Sequence, residues 1–144
     1  MKRIFLLIIV FIWLLCSAYT CTRESDTCHK TINFVNKSTK EVYIQSYYTP
    51  FDTLIFSSVF SNPYNEPDLY RVKPEERNSD GLFRRGCIDD RVKQGIAVIF
   101  VFDSEILANY SWGEIGKNYM VLKTIRPTLE DMERDNWTIY FMGE

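Results

Sequence analysis

Ile96-Ala97-Val98-Ile99-Phe100-Val101-Phe102 is the stretch that decides the fold class. Seven apolar residues in a row, mostly β-branched or aromatic, have the composition of a strand buried on both faces. Such a strand belongs in the interior of a sheet, with a layer packed on each side, and a flanking helix supplies one layer. Directly after it, Asp103-Ser104 precede a short helical stretch to about Ala108. Ser111-Trp112-Gly113-Glu114 has the form of a capping box, in which the serine hydroxyl and the glutamate satisfy free amides reciprocally. Tyr110 and Ile115 are placed to brace that helix as a hydrophobic staple.

Moving outward, the period is mostly two. Ile32 and Phe34 alternate with polar neighbours, Asn36-Lys37-Ser38-Thr39-Lys40 is a polar turn, and Val42, Ile44 and Ser46 share one face of the next strand. This pattern predicts a hairpin. Leu54-Ile55-Phe56 is a weaker third strand. Ser61 to Pro67 is a loop, Leu69 to Val72 a short edge strand, and Lys73 to Gly81 the longest exposed loop. Leu82 to Ile88 is expected as a strand with a bulge at Gly86. Tyr119 to Ile125 returns to strand composition. Pro127-Thr128 opens a helix through Arg134, with Glu130 and Asp131 where the helix dipole favours negative charge. Asn136 ends that helix, and Trp137, Ile139 and Phe141 form a last alternating strand. The expected fold is α+β: a mostly antiparallel sheet or sandwich with two short helices near the C-terminus.

The N-terminus is a different kind of sequence. Met1-Lys2-Arg3 is a positive start, Ile4 to Leu15 is an unbroken apolar run, and Ser17, Ala18 and Thr20 are small or polar. That is the layout of a secretory signal peptide, and the run is shorter than the ~20 apolar residues of a membrane-spanning helix. The expected organisation is a lipoprotein-type signal peptide at 1–20, a tether at 21–29 and one globular domain at 30–144. Of the 144 residues, 46% are hydrophobic and 15% aromatic, which suits one domain and excludes a disordered tail protein. The leader takes Lys2 and Arg3 with it and no acid. The remainder is therefore two charges more acidic than the −2 of the whole chain, which argues against nucleic acid as a partner.

Two processing routes fit. Cys16-Ser17-Ala18 suits ordinary cleavage before Tyr19, which leads to a secreted protein. Ala18-Tyr19-Thr20-Cys21 places a cysteine where a lipoprotein peptidase leaves a diacylglyceryl thioether. The four cysteines are Cys16, Cys21, Cys28 and Cys87. Ordinary cleavage leaves three thiols, one of them unpaired in an oxidising compartment. Lipidation at Cys21 leaves Cys28 and Cys87 as a candidate disulfide closing about 60 residues, worth roughly 4 kcal/mol by chain entropy. The alternative is that both are reduced core or loop thiols.

The tail also carries a resemblance. Trp112-Gly113-Glu114-Ile115, Asn118-Tyr119-Met120-Val121-Leu122, Thr128-Leu129-Glu130-Asp131 and Asn136-Trp137-Thr138-Ile139-Tyr140 resemble the C-terminal pattern of small predicted lipoproteins of Bacteroidetes. Ile32-Asn33-Phe34-Val35-Asn36-Lys37-Ser38 is similar to their front strand. The resemblance implies acylation, palmitate included, and a cell-envelope location; it implies no activity. Surface export in that group uses an acidic stretch after the anchoring cysteine, of which Arg23, Glu24 and Asp26 are a diluted version, so the periplasmic and surface sides both stand. Three N-glycan acceptor patterns, at Asn36, Asn109 and Asn136, carry no weight if the source is bacterial, as the resemblance implies.

Candidate chemistry is sparse. The single histidine, His29, adjoins Cys28, and neighbours on an extended chain point to opposite faces. It is expected at the surface of the tether. No G-x-S-x-G elbow and no C-x-x-C pair occurs. Asp80, Asp89, Asp90 and Asp103 lack the spacing of a calcium loop. Glu66, Asp68, Glu75 and Glu76 complete an acid set that any domain of this size carries. Tyr43, Tyr47 and Tyr48, with Phe51, lie close along one hairpin and are the candidate binding surface; cross-strand packing is the favoured explanation of them. Trp112 and Trp137 are expected in the core. The expectation is a non-enzymatic envelope lipoprotein that binds or scaffolds, anchored by lipid at Cys21, with no catalytic residue, metal or cofactor. Its partners would be the membrane and an envelope protein or glycan. The alternatives are a glycan- or peptide-binding module of a surface uptake system and a small hydrolase. His29→Ala, Asp89→Asn and Glu75→Gln are expected to leave stability nearly unchanged.

Overall fold

The computed structural model describes residues 28–49, 61–83 and 86–143. The leader, Cys21, Phe51 and the weak strand at Leu54-Ile55-Phe56 lie outside the described residues. In chain order the elements are β1 (Asn33–Asn36), β2 (Val42–Tyr48), α1 (Pro67–Tyr70), β3 (Arg71–Val72), β4 (Arg77–Asn78), α2 (Ile88–Lys93), β5 (Ala97–Asp103), α3 (Ser104–Asn109), α4 (Trp112–Lys117), β6 (Lys123–Ile125), α5 (Leu129–Arg134) and β7 (Thr138–Phe141). They form an α+β fold with a three-stranded sheet, order β4-β1-β7, and a four-stranded sheet, order β3-β2-β5-β6. Every pairing is antiparallel except β1 with β7.

The apolar run is β5, and all seven of its residues are buried. Its alternate side chains enter two different cores. Ala97, Ile99 and Val101 meet Ile32, Phe34, Ile139 and Phe141 of the other sheet, while Val98, Phe100 and Phe102 pack with Leu107 and Ile115 from α3 and α4. The four-stranded sheet is thus the middle layer, which is why β5 carries no polar face.

The strands of the expected hairpin do not pair with each other. β1 lies between β4 and β7, and β2 between β3 and β5. Asn36 supplies the reason. Fully buried, it donates to the carbonyls of Lys40 and Val72 and accepts from the Ser38 amide and hydroxyl. Its side chain thereby fastens the end of β1 to the start of the second sheet, and residues 37–41 turn a corner between sheets. The chain's first strand pairs instead with its last, Phe34 opposite Ile139 in parallel register.

The stretch expected as a strand from Leu82 to Ile88 is not one. Leu82 and Phe83 are buried as loop residues, and Ile88 opens α2, with Asp89 and Asp90 in its first turn and Arg91 and Lys93 in its last. The expected edge strand 69–72 is half helix: Pro67 starts α1, and only Arg71 and Val72 pair, on the sheet edge. β6 is shorter than expected, because Tyr119 adopts a left-handed φ of 49° and only Lys123–Ile125 follow β5. The capping box at Ser111 forms as read, and Asp103 and Thr128 cap two further helices. Asp103 accepts from the Glu105 amide, Ser111 and Glu114 make the reciprocal box, and Thr128 accepts from the Asp131 amide. Ile115 is buried, whereas Tyr110 remains 43% exposed. Among the described residues there are five short helices, of which α3, α4 and α5 lie in the last third of the chain.

Candidate functional site

Cys28, His29, Cys87 and Asp89 come together at the start of the described chain. Cys28 and Cys87 form a disulfide, with Cα atoms 4.9 Å apart. Cys87 immediately precedes α2, and the Ile88 amide donates to the His29 carbonyl at 2.9 Å. The chain therefore reaches Asp89 of α2 opposite His29. The His29 backbone amide donates to one Asp89 carboxylate oxygen at 2.7 Å, and its Nδ1 lies 2.9 Å from the other. A carboxylate only accepts, so Nδ1 carries the proton, and a neutral ring keeps its lone pair on Nε2. The imidazole lies flat on the Trp137 indole, ring centres 3.8 Å apart and planes 17° from parallel.

These distances correct one expectation. His29 is not a free surface residue, because Cys28 and His29 are bonded to Cys87 and Asp89 and the His29 ring is stacked on Trp137. Asp89 is 4% exposed. Burial pushes its carboxyl up, but the hydrogen bonds from the His29 side chain and backbone outweigh this and hold it below its ordinary value. The expectation that His29→Ala and Asp89→Asn are silent is withdrawn for the same reason. Chemically, a histidine oriented by a buried aspartate is the base half of a nucleophilic site. Here the two nearest cysteines are joined in the disulfide, and one face of the imidazole is stacked on Trp137.

The tyrosines do not form one exposed platform. Tyr43 is 3% exposed and packs on Tyr64, with ring centres 5.4 Å apart. Tyr47 lies on the same face, 6.0 Å from the Phe100 ring, and burial pushes its phenol well above the usual range. Tyr48 points to the opposite side of the sheet, stacks on Phe83 and lies under the Arg91 guanidinium. Burial raises its phenol and Arg91 pulls it back. Cross-strand and inter-layer packing accounts for all three.

The other acids are dispersed. Asp103 caps α3 and pairs with Lys40 at 3.1 Å, and Glu75 pairs with Lys37 at the surface. Among the described residues, no three His, Cys, Asp or Glu side chains are grouped to hold a metal ion. Sequence reasoning missed Asp89 and Trp137 as partners of His29. The signal available was the spacing of Ile88 and Val92 with acids before bases, which marks a helix start beside Cys87. Compared with known protein families, curated proteins and solved structures, the chain has no match.

Proposed function

We propose that the chain is an exported cell-envelope lipoprotein of the kind its tail resembles, held to the membrane by lipid on Cys21. Its folded domain binds or scaffolds and does not catalyse. The observation that carries this reading is the Cys28–Cys87 disulfide. A bonded pair fits an oxidising compartment. With Cys16 in the leader, it leaves Cys21 as the one thiol without a cysteine partner, at the position where a lipoprotein peptidase would cleave. The disulfide, the His29–Asp89 bonds and the Trp137 stack also fix the chain at residue 28, so pull on the anchor is borne by the core. From Cys21 to Cys28 an extended chain spans about 25 Å at most, which keeps this junction near the headgroups. The lone histidine and its aspartate have a structural use, which supports a binding role over a hydrolytic one.

The test is metabolic labelling with an alkyne palmitate, followed by fractionation. The wild-type chain should take up label and sediment with membranes, and Cys21→Ala should do neither. Label retained by Cys21→Ala, or none on the wild type, would contradict the proposal.

A further inference from the structure

Resting on the binding role proposed above, we propose that a cleft at the pole opposite the tether binds small amphipathic carboxylates. The position follows from the register. β1 and β7 both start beside His29 and run parallel, ending at Asn36 and Phe141. β2 begins at that far end, Val42 opposite Asp103 of β5. The segments 37–41 and 141–143 therefore lie a strand length from the disulfide, on the side that an anchor at Cys21 would present outward.

Between these segments is a cavity of about 400 Å³, in the range of small-molecule sites. One wall is the loop from Lys37 to Lys40, and the other is Leu122, Phe141 and Met142. The loop wall is preformed. Asn36 holds the Lys40 carbonyl, Ser38 bonds back to Asn36, and the Lys37 amide donates to the Phe141 carbonyl at 2.7 Å. Gly143 lets the chain end pass close to the loop, since it has a φ of 83° and a Cβ there would meet the Ser38 Cβ at 3.3 Å.

Among the described residues that line the cavity, Lys37 and Lys40 are charged and no acid is present, while Leu122, Phe141 and Met142 are apolar. Lys123, outside the lining, stands 6.0 Å from the Phe141 ring centre and adds positive charge on that side. Lys40 is 64% exposed and pairs with Asp103 at 3.1 Å, and Lys37 pairs with Glu75 at the surface. An exposed pair is worth little, and each ammonium has three donors, so an incoming carboxylate can join Lys37 and Lys40 beside the acids they already hold. Met142 is 70% exposed, and its thioether adapts to an apolar body of varied shape. A ligand with a carboxylate head and a short alkyl or aryl body satisfies both walls; a neutral sugar or an apolar chain satisfies one.

The experiment is an amide-shift NMR titration of the full mature chain carrying Cys21→Ser, which needs no detergent, with 4-phenylbutyrate, 4-phenylbutanol and acetate. The expected result is saturable shifts at residues 37–40, 122 and 141–143 with phenylbutyrate. Phenylbutanol and acetate should bind at least tenfold more weakly. Lys37→Gln with Lys40→Gln, and separately Met142→Asp, should weaken phenylbutyrate at least tenfold, with an unchanged melting temperature showing that each variant is folded. Equal binding of acid and alcohol overturns the proposal, as do shifts confined to other residues; those outcomes leave a binding role standing. No saturable response to the three probes also overturns it, and if glycan and peptide arrays are silent too, the binding role falls with it.

Discussion

His29 shows how one residue's role depends on partners far away in the chain. By sequence it is an isolated histidine in a polar stretch; in the fold it joins Asp89, sixty positions on, and the indole of Trp137. Neither partner is visible from local pattern, because the disulfide and the parallel β1–β7 pairing bring them together. Trp137 itself stands at a left-handed φ of 55°, directly after Asn136 at 49°. A bulky side chain rarely adopts that conformation, and the tight turn out of α5 into β7 requires it. Asp89→Asn and His29→Ala should each lower stability by about 1–3 kcal/mol, since one replaces the buried carboxylate that accepts from the His29 side chain and amide and the other removes its side-chain donor. In a double-mutant cycle by chemical denaturation, the two losses should be non-additive. Additive, near-zero effects would mean the pair is ornamental. The pH dependence follows from Asp89's lowered pKa. On acidification the unfolded chain takes up the proton first, so this stabilisation is complete above the ordinary carboxyl range. It is lost as pH falls from about 4 toward the folded-state value. Thermal melts of Asp89→Asn should lack that part of the acid-side decline. Glu75→Gln disturbs only a surface pair and should shift stability by less than about 1 kcal/mol.

At the scale of elements, legibility tracked how much of the determining information was local. β5, the Ser111 capping box and β7 were readable because composition, the serine hydroxyl and alternation act within a few residues. The β1–β2 hairpin was misread because alternation gives strands but not their partners. The partner choice is set by Asn36, which bonds across to Val72. Helix α2 was missed because Ile88 and Val92 supply only one helical repeat and the apolar Leu82-Phe83 pair draws the eye to a strand. Of the candidate surface, the tyrosines were visible as aromatics, but their burial depends on which layers cover β2. Phe100 tests the layered arrangement. It is fully buried on the face covered by α3 and α4, so Phe100→Ala should cost about 3–5 kcal/mol. A loss below about 1 kcal/mol in urea denaturation would show that this second core is not packed as described.

Over the whole molecule, the described fold closes on itself near residue 28. First strand pairs with last, and the disulfide ties residue 28 to the middle of the chain. Against a net stability of about 5–15 kcal/mol for a domain, a bridge across 59 positions contributes up to roughly 4 kcal/mol. Cys28→Ser with Cys87→Ser should therefore melt well below the wild type. Reduction of the wild type should give the same drop, and an unchanged melting curve after full reduction would remove the bridge from the account. The proposed export and anchoring bear on all of this, since they place the domain where the bridge persists and orient its far cleft outward. The most direct test is mass spectrometry of the protein taken from the envelope and digested without reduction. The account predicts a mature N-terminus at Cys21 carrying lipid, together with a crosslinked Cys28–Cys87 peptide pair. A free Tyr19 amine, or two alkylatable thiols at positions 28 and 87, would contradict it.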